Sequence, residues 1–137
     1  MISNMHEYLK NYLDFIESLK TDYSNSSEAL KKEDRKDEAI LYKVRTNICD
    51  IFTTLVGSTV KKVASMKLTA DDLQTKAFNI EYMKLFEQIP ANWVTNLEKA
   101  KKFNDPIAAK TEEVKLDTVN ILKSKFIELA SLQTKFN

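Results

Sequence analysis

Residues 41–66 read LYKVRTNICDIFTTLVGSTVKKVASM, and in them Leu41, Val44, Ile48, Phe52, Leu55, Thr59, Val63 and Met66 recur at intervals of three and four. That spacing lays an apolar stripe along a helix of about 3.6 residues per turn. A strand would alternate with period two, and this stretch does not. The pattern predicts a helix from about residue 35 to 66. Gly57 lies inside it, where glycine costs up to ~1 kcal/mol relative to alanine, and close approach of a neighbouring helix is the expected reason for it.

Upstream, Ser3 is a candidate N-cap, and Met5, Leu9, Tyr12, Ile16, Leu19, Tyr23, Ser26 and Leu30 follow in strict 4,3 spacing. This is a heptad stripe, and its register survives the polar Ser24-Asn25-Ser26-Ser27, so one helix is predicted from about 3 to 32. Between the two helices Lys31-Lys32-Glu33-Asp34-Arg35-Lys36 has no apolar residue and reads as a turn, with Asp34 able to accept hydrogen bonds from the next helix start.

Downstream, Thr69-Ala-Asp-Asp72 resembles a capping box with aspartate for glutamate, so a third helix should start near 70. Its stripe is Leu73, Ala77, Phe78, Tyr82, Leu85, Phe86 and Ile89. Pro90 has no N–H to donate and biases Ile89 away from helical angles, so the segment must kink or restart there before Trp93, Leu97 and Ala100 carry it to about 103. Asn104-Asp105-Pro106 places an aspartate N-cap before a proline at the first helical position. A fourth helix follows, marked by Val114, Thr118, Leu122, Phe126, Leu129, Leu132 and Phe136.

The expected architecture is a single all-α domain over 1–137, an antiparallel up-down-up-down four-helix bundle whose third helix is kinked or broken at Pro90. One glycine and two prolines agree with long helices and few turns. A three-helix bundle with an irregular 69–104 arm is the alternative if the kink at Pro90 is sharp.

Composition limits the function. Lys+Arg number 21 against 20 Asp+Glu, a net charge of +1 that offers no phosphate-neutralising surface, so no nucleic-acid partner is expected. No stretch approaches the ~18 apolar residues of a membrane span, and the start, Met1-Ile-Ser-Asn-Met-His-Glu, lacks a basic region followed by an apolar one. Cys49 is the only cysteine, which suits a reducing compartment. The expectation is a cytoplasmic protein without a membrane partner. Lysine pairs at 31–32, 61–62 and 101–102 fall near helix ends and acids at helix starts, as the macrodipole favours. Glu28 with Lys32, Asp72 with Lys76 and Glu98 with Lys102 are spaced for surface ion pairs.

Catalytic inventories fail. A bundle di-iron site needs Glu-x-x-His on two helices, and His6 is the only histidine. One Cys and one His make no ordinary zinc site, and one glycine builds no phosphate loop. Cys49 sits between Ile48 and Asp50-Ile51, as a small buried residue would. No enzyme activity and no cofactor are expected.

Arg35 and Arg45 are the only arginines in a chain of 19 lysines, and only arginine offers a planar fork for carboxylates or phosphates. Folding the rods antiparallel puts Arg45 level with Asp22-Tyr23 on the first helix, Asn92-Trp93 on the third, and Glu112, Glu113 and Lys115 on the fourth. Arg45 flanks the core stripe, with Asn47 on its other side, so it should be partly buried and need a partner. One reading is a structural network in which Arg45 pairs with Glu112, Glu113 or Asp22. The other is a small-molecule or anion pocket opened by the kink, lined by Arg45, Asn47, Asn92, Trp93, Glu112, Glu113 and Tyr23. The leading functional expectation is a non-enzymatic protein that binds another protein or itself.

The stretch Arg35-Lys-Asp-Glu-Ala-Ile-Leu-Tyr-Lys-Val-Arg-Thr-Asn-Ile-Cys-Asp-Ile-Phe52, with Ile89-Pro-Ala-Asn-Trp93, resembles small uncharacterised helical proteins of AT-rich Gram-positive bacteria. The lysine and asparagine bias points to the same kind of source. The resemblance implies no activity. Secretion-substrate helical hairpins with a Trp-x-Gly turn do not fit, because Val94-Thr95 follows Trp93.

Overall fold

A computed structural model of the chain describes the backbone of residues 3–135 and the side chains of residues 5–132. The side chain of Ser3, a candidate cap, and Phe136, a candidate core residue, lie outside the described residues. Within them the chain is helical: α1 (Ser3–Lys32), α2 (Lys36–Ser65), α3 (Asp71–Gln88), α4 (Ala91–Lys102) and α5 (Pro106–Lys135). The polar serine stretch leaves α1 unbroken. The expected third rod is two helices, α3 and α4, with Ile89 and Pro90 between them in right-handed backbone conformations and Trp93 and Val94 N–H groups donating to the Pro90 carbonyl.

The connectors close differently from the expectation. Asp34 caps no helix: it sits at φ 61, closing α1, where Arg35 N–H reaches the Leu30 carbonyl at 2.9 Å. The same 6→1 closure ends α4, with Asn104 at φ 54 and Asp105 N–H 2.8 Å from the Ala100 carbonyl. At α3 the N-cap is Ala70 without a side-chain cap bond, so Thr69–Asp72 is not a capping box; Gln74 instead donates to the Leu68 carbonyl at 2.7 Å. Asp105 does cap α5, accepting from the Ala108 N–H at 3.1 Å ahead of Pro106. Gly57 also departs from expectation: it is exposed, and a Cβ there would meet nothing within 4 Å.

The core is aromatic. Phe52 stacks on Phe86 at 5.0 Å, Phe78 on Tyr82 at 5.4 Å, and Tyr82 meets Phe126 at 4.9 Å, with Tyr12 edge-on to Tyr82 at 5.8 Å. Such pairs add about 0.5–1.5 kcal/mol each beyond area burial. The stripe positions Thr59 and Thr118 are buried because each hydroxyl donates to the carbonyl four residues earlier, at 2.7 and 2.8 Å. Leu73, Met66 and Leu132, expected in the core, are exposed.

Contacts between helices fix their mutual register. Ser27 donates to the Ala39 carbonyl at 2.9 Å, Tyr23 faces Tyr42 at 6.0 Å, and Lys20 pairs with Asp50 at 2.7 Å across α1 and α2. Tyr82 and Phe86 reach Phe52, and Glu81 reaches Lys62, across α3 and α2. The principal neighbour of α4 is α5 rather than α2, so the interruption at Ile89–Pro90 hands the chain from one neighbour to another. Of the surface pairs expected four residues apart, Glu28 takes Lys31 instead of Lys32, and neither Asp72–Lys76 nor Glu98–Lys102 is an ion pair of the described residues.

Candidate functional site

Arg45 leaves α2 between the half-buried Leu41 and the buried Ile48, and its guanidinium stands at the core edge, with 20% of the side chain exposed. Nη1 lies 2.6 Å from Asp117 Oδ2 and donates to Thr118 Oγ1 at 3.0 Å, while Cζ stands 5.5 Å from the centroid of Tyr23. Burial raises the Tyr23 phenol, and the neighbouring guanidinium partly offsets the shift. One side chain thereby ties α1, α2 and α5 together.

The predicted Tyr23 neighbour is thus in place, but the carboxylate is not: Arg45 pairs with Asp117, not with Glu112, Glu113 or Asp22. The reason is register. Asp117 and Thr118, about one helical turn beyond Glu113 on α5, stand at the level assigned to Glu112 and Glu113.

Trp93 and Glu112 belong to a second cluster, on α4 and α5. Lys115 Nζ sits 5.6 Å from the Trp93 ring and 3.1 Å from Glu112 Oε2, and Asn96 donates to Glu112 Oε1 at 3.3 Å. Glu112 is 7% exposed. Its Oε2 lies in ion-pair range of Lys115 yet has no aligned hydrogen-bond donor. The Arg45 and Trp93 clusters share no member. Asn47, Asn92 and Glu113 are exposed and hydrogen-bond to no other described side chain.

Grooves on the described surface lie beside Phe15 and Lys125, between Thr59 and Leu85, and at Ala100, Pro106 and Ala109. None of the seven predicted residues lines them. Sequence reading missed Asp117, Thr118 and Asn96; an acid one turn beyond Glu113 was the available signal.

The buried phenols are hydrogen-bonded and neutral. Tyr82 donates to the Phe52 carbonyl at 3.0 Å, which leaves its oxygen to accept from Tyr12 at 3.0 Å, and Tyr8 donates to Asn79. Burial pushes all three phenols well above the ordinary range and the Cys49 thiol up to about 11, so this cysteine is a poor nucleophile. Among the described residues no three of His, Cys, Asp and Glu converge to hold a metal ion, and no helix is long and apolar enough to cross a membrane.

No family model, no curated protein and no solved structure matches the chain.

Proposed function

We propose that the chain is a non-enzymatic helical-bundle protein that acts by contact with another protein or a second copy of itself, in the cytoplasm of a bacterium. The observation that carries this reading is on α3. Leu73 and Ile80 stand one heptad apart, 51% and 58% exposed, on the side of the helix opposite the buried Phe78, Tyr82 and Phe86. A helix apolar on two opposed sides has one side for its own core and one for a partner, and anchors spaced i, i+7 are the pattern by which a helix seats in a groove. The bundle is read as antiparallel and up-down-up-down. Support comes from the contacts of α1 with α2, α2 with α3 and α4 with α5, which run in opposite numerical order. The lone thiol supports a reducing compartment.

Size-exclusion chromatography with light scattering, followed by an affinity pull-down, tests the proposal. The wild type should run above the 15.8 kDa monomer or hold a partner, and Leu73→Asp/Ile80→Asp should lose that mass with unchanged helix content. A strict monomer that captures nothing counts against it.

Of the second reading, a small-molecule or anion site near Arg45 and Trp93, only the small-molecule form on the Trp93 side keeps a supporting observation, the buried Glu112 Oε2 without an aligned donor, which suits a ligand that donates a hydrogen bond. A ligand library read by Trp93 fluorescence and melting temperature tests it. Any genuine response should vanish in Glu112→Gln, and silence across the library retires the idea.

A further inference from the structure

The tightly closed turn between α4 and α5 leaves its two largest apolar side chains in solvent: Phe103 is 73% exposed and Ile107 81%. Four lysines surround them in sequence, Lys99, Lys101, Lys102 and Lys110, against the single Asp105, in a chain whose overall charge is only +1. Among the described residues none of the four is in an ion pair, a state they share with Lys32, Lys36, Lys43, Lys61, Lys67, Lys76 and Lys123, but no other stretch sets four such lysines around two exposed large apolar side chains. Lys102 lies with its ammonium 5.9 Å from the Phe103 ring.

The helix dipole accounts for part of this. Lysines suit the last turn of α4, but Lys110 stands near the N-terminal end of α5, where a cation is disfavoured, and the dipole gives no reason for an exposed phenylalanine and isoleucine. Backbone bonding separates the possible occupants. Phe103, Asn104, Asp105, Ala108 and Ala109 each donate their N–H within the hairpin, and Pro106 has none to donate. With every backbone N–H of residues 103–109 used except that of Ile107, the turn can enter a medium of low dielectric at a donor cost confined to one group, which matters more for lipid than for a wet protein contact. The apolar pair is also carried on a turn whose residues 101–107 are all exposed, which a fluid headgroup layer accepts without a matching pocket.

We infer that the α4–α5 turn docks on an anionic lipid surface, Phe103 and Ile107 entering the headgroup layer and Lys99, Lys101, Lys102 and Lys110 lying over the lipid phosphates. Lysines near such a surface and apolar side chains within it act together, because either signal alone gives weak, reversible binding. The cap carboxylate of Asp105 keeps the insertion shallow. This goes beyond the protein-contact reading and does not depend on it: a membrane span is absent from the described helices, but a surface contact needs none.

Co-sedimentation of the full chain with sucrose-loaded vesicles tests the inference. Vesicles of equal parts phosphatidylserine and phosphatidylcholine should pellet the protein, phosphatidylcholine alone should not, and 1 M salt, with a screening length of about 3 Å, should release it. Lys101→Gln/Lys102→Gln should lower the partition coefficient about thirtyfold. Phe103→Ser/Ile107→Ser should abolish pelleting while circular dichroism stays that of the wild type, since both side chains lie outside the core. In Trp93→Phe/Phe103→Trp the new tryptophan should shift to the blue on vesicle addition. Wild-type protein left in the supernatant, equal pelleting by both vesicle types, or pelleting untouched by Phe103→Ser/Ile107→Ser overturns the inference. Retention on poly-glutamate without binding to vesicles also overturns it, in favour of an acidic protein partner.

Discussion

Tyr82 shows how a single residue carries both packing and polarity in this core. Its ring meets Phe52, Phe78, Phe86, Tyr12 and Phe126, and its hydroxyl bridges Tyr12 and the Phe52 carbonyl. Tyr82→Phe keeps the ring but strands the Tyr12 hydroxyl, so urea denaturation should show a loss of about 1–2 kcal/mol; equal stability would mean the bridge contributes nothing. Gly57 carries the opposite expectation. Exposed in mid-helix with open space around it, Gly57→Ala should gain about 0.5–1 kcal/mol by the same assay. Periodicity alone placed Tyr12 and Tyr82 in their stripes, because spacing is a local property. That their hydroxyls meet was invisible, since the residues are 70 apart in sequence. Arg45 was legible as a partly buried arginine from its rarity and its place beside the stripe, while its partner depended on another helix.

At the scale of elements the helices were readable and their ends were not. A stripe repeated over a long segment averages out local exceptions, so α1 and α2 lie within a residue or two of expectation. Caps depend on one or two side chains: Asp105 caps α5 as expected, whereas the caps expected of Asp34 and Thr69 are absent, and the helices before them end in left-handed closures at Asp34 and Lys67. Left-handed backbone costs a non-glycine residue about 1–2 kcal/mol, and Lys67, at φ 55, has no short polar side chain to soften that cost. Lys67→Gly should therefore raise stability by about 0.5–1 kcal/mol in thermal melts, after glycine's own entropy is counted. An unchanged or lower melting temperature would mean the lysine makes an offsetting contact. Leu73 misled the stripe of α3 because that helix is apolar on two sides, and a one-sided template assigns both to the core.

For the whole molecule, the buried phenols set an alkaline limit. Tyr8, Tyr12 and Tyr82 hold their protons in the folded state above the pH, near 10, at which unfolded tyrosines ionise, and Cys49 does the same up to about 11. Groups raised on folding leave stability intact below their unfolded values and remove it as pH climbs beyond them. The melting temperature should accordingly fall steeply from about pH 9 to 11, with part of the tyrosine absorbance change arriving only on unfolding; free titration of all five tyrosines with a flat melting temperature would refute this. Register is the larger matter, because the depth of α5 against α2 decides whether Arg45 and Trp93 share a pocket or belong to separate clusters, and no count along one helix reveals how far another slides past it. Double-mutant cycles by urea denaturation measure it directly, pairing Arg45→Ala with Asp117→Ala and, in parallel, with Glu112→Ala and Glu113→Ala. Coupling of about 0.5–1 kcal/mol with Asp117 and additivity with both glutamates is the predicted result; additivity with Asp117 and coupling to Glu112 or Glu113 would contradict it.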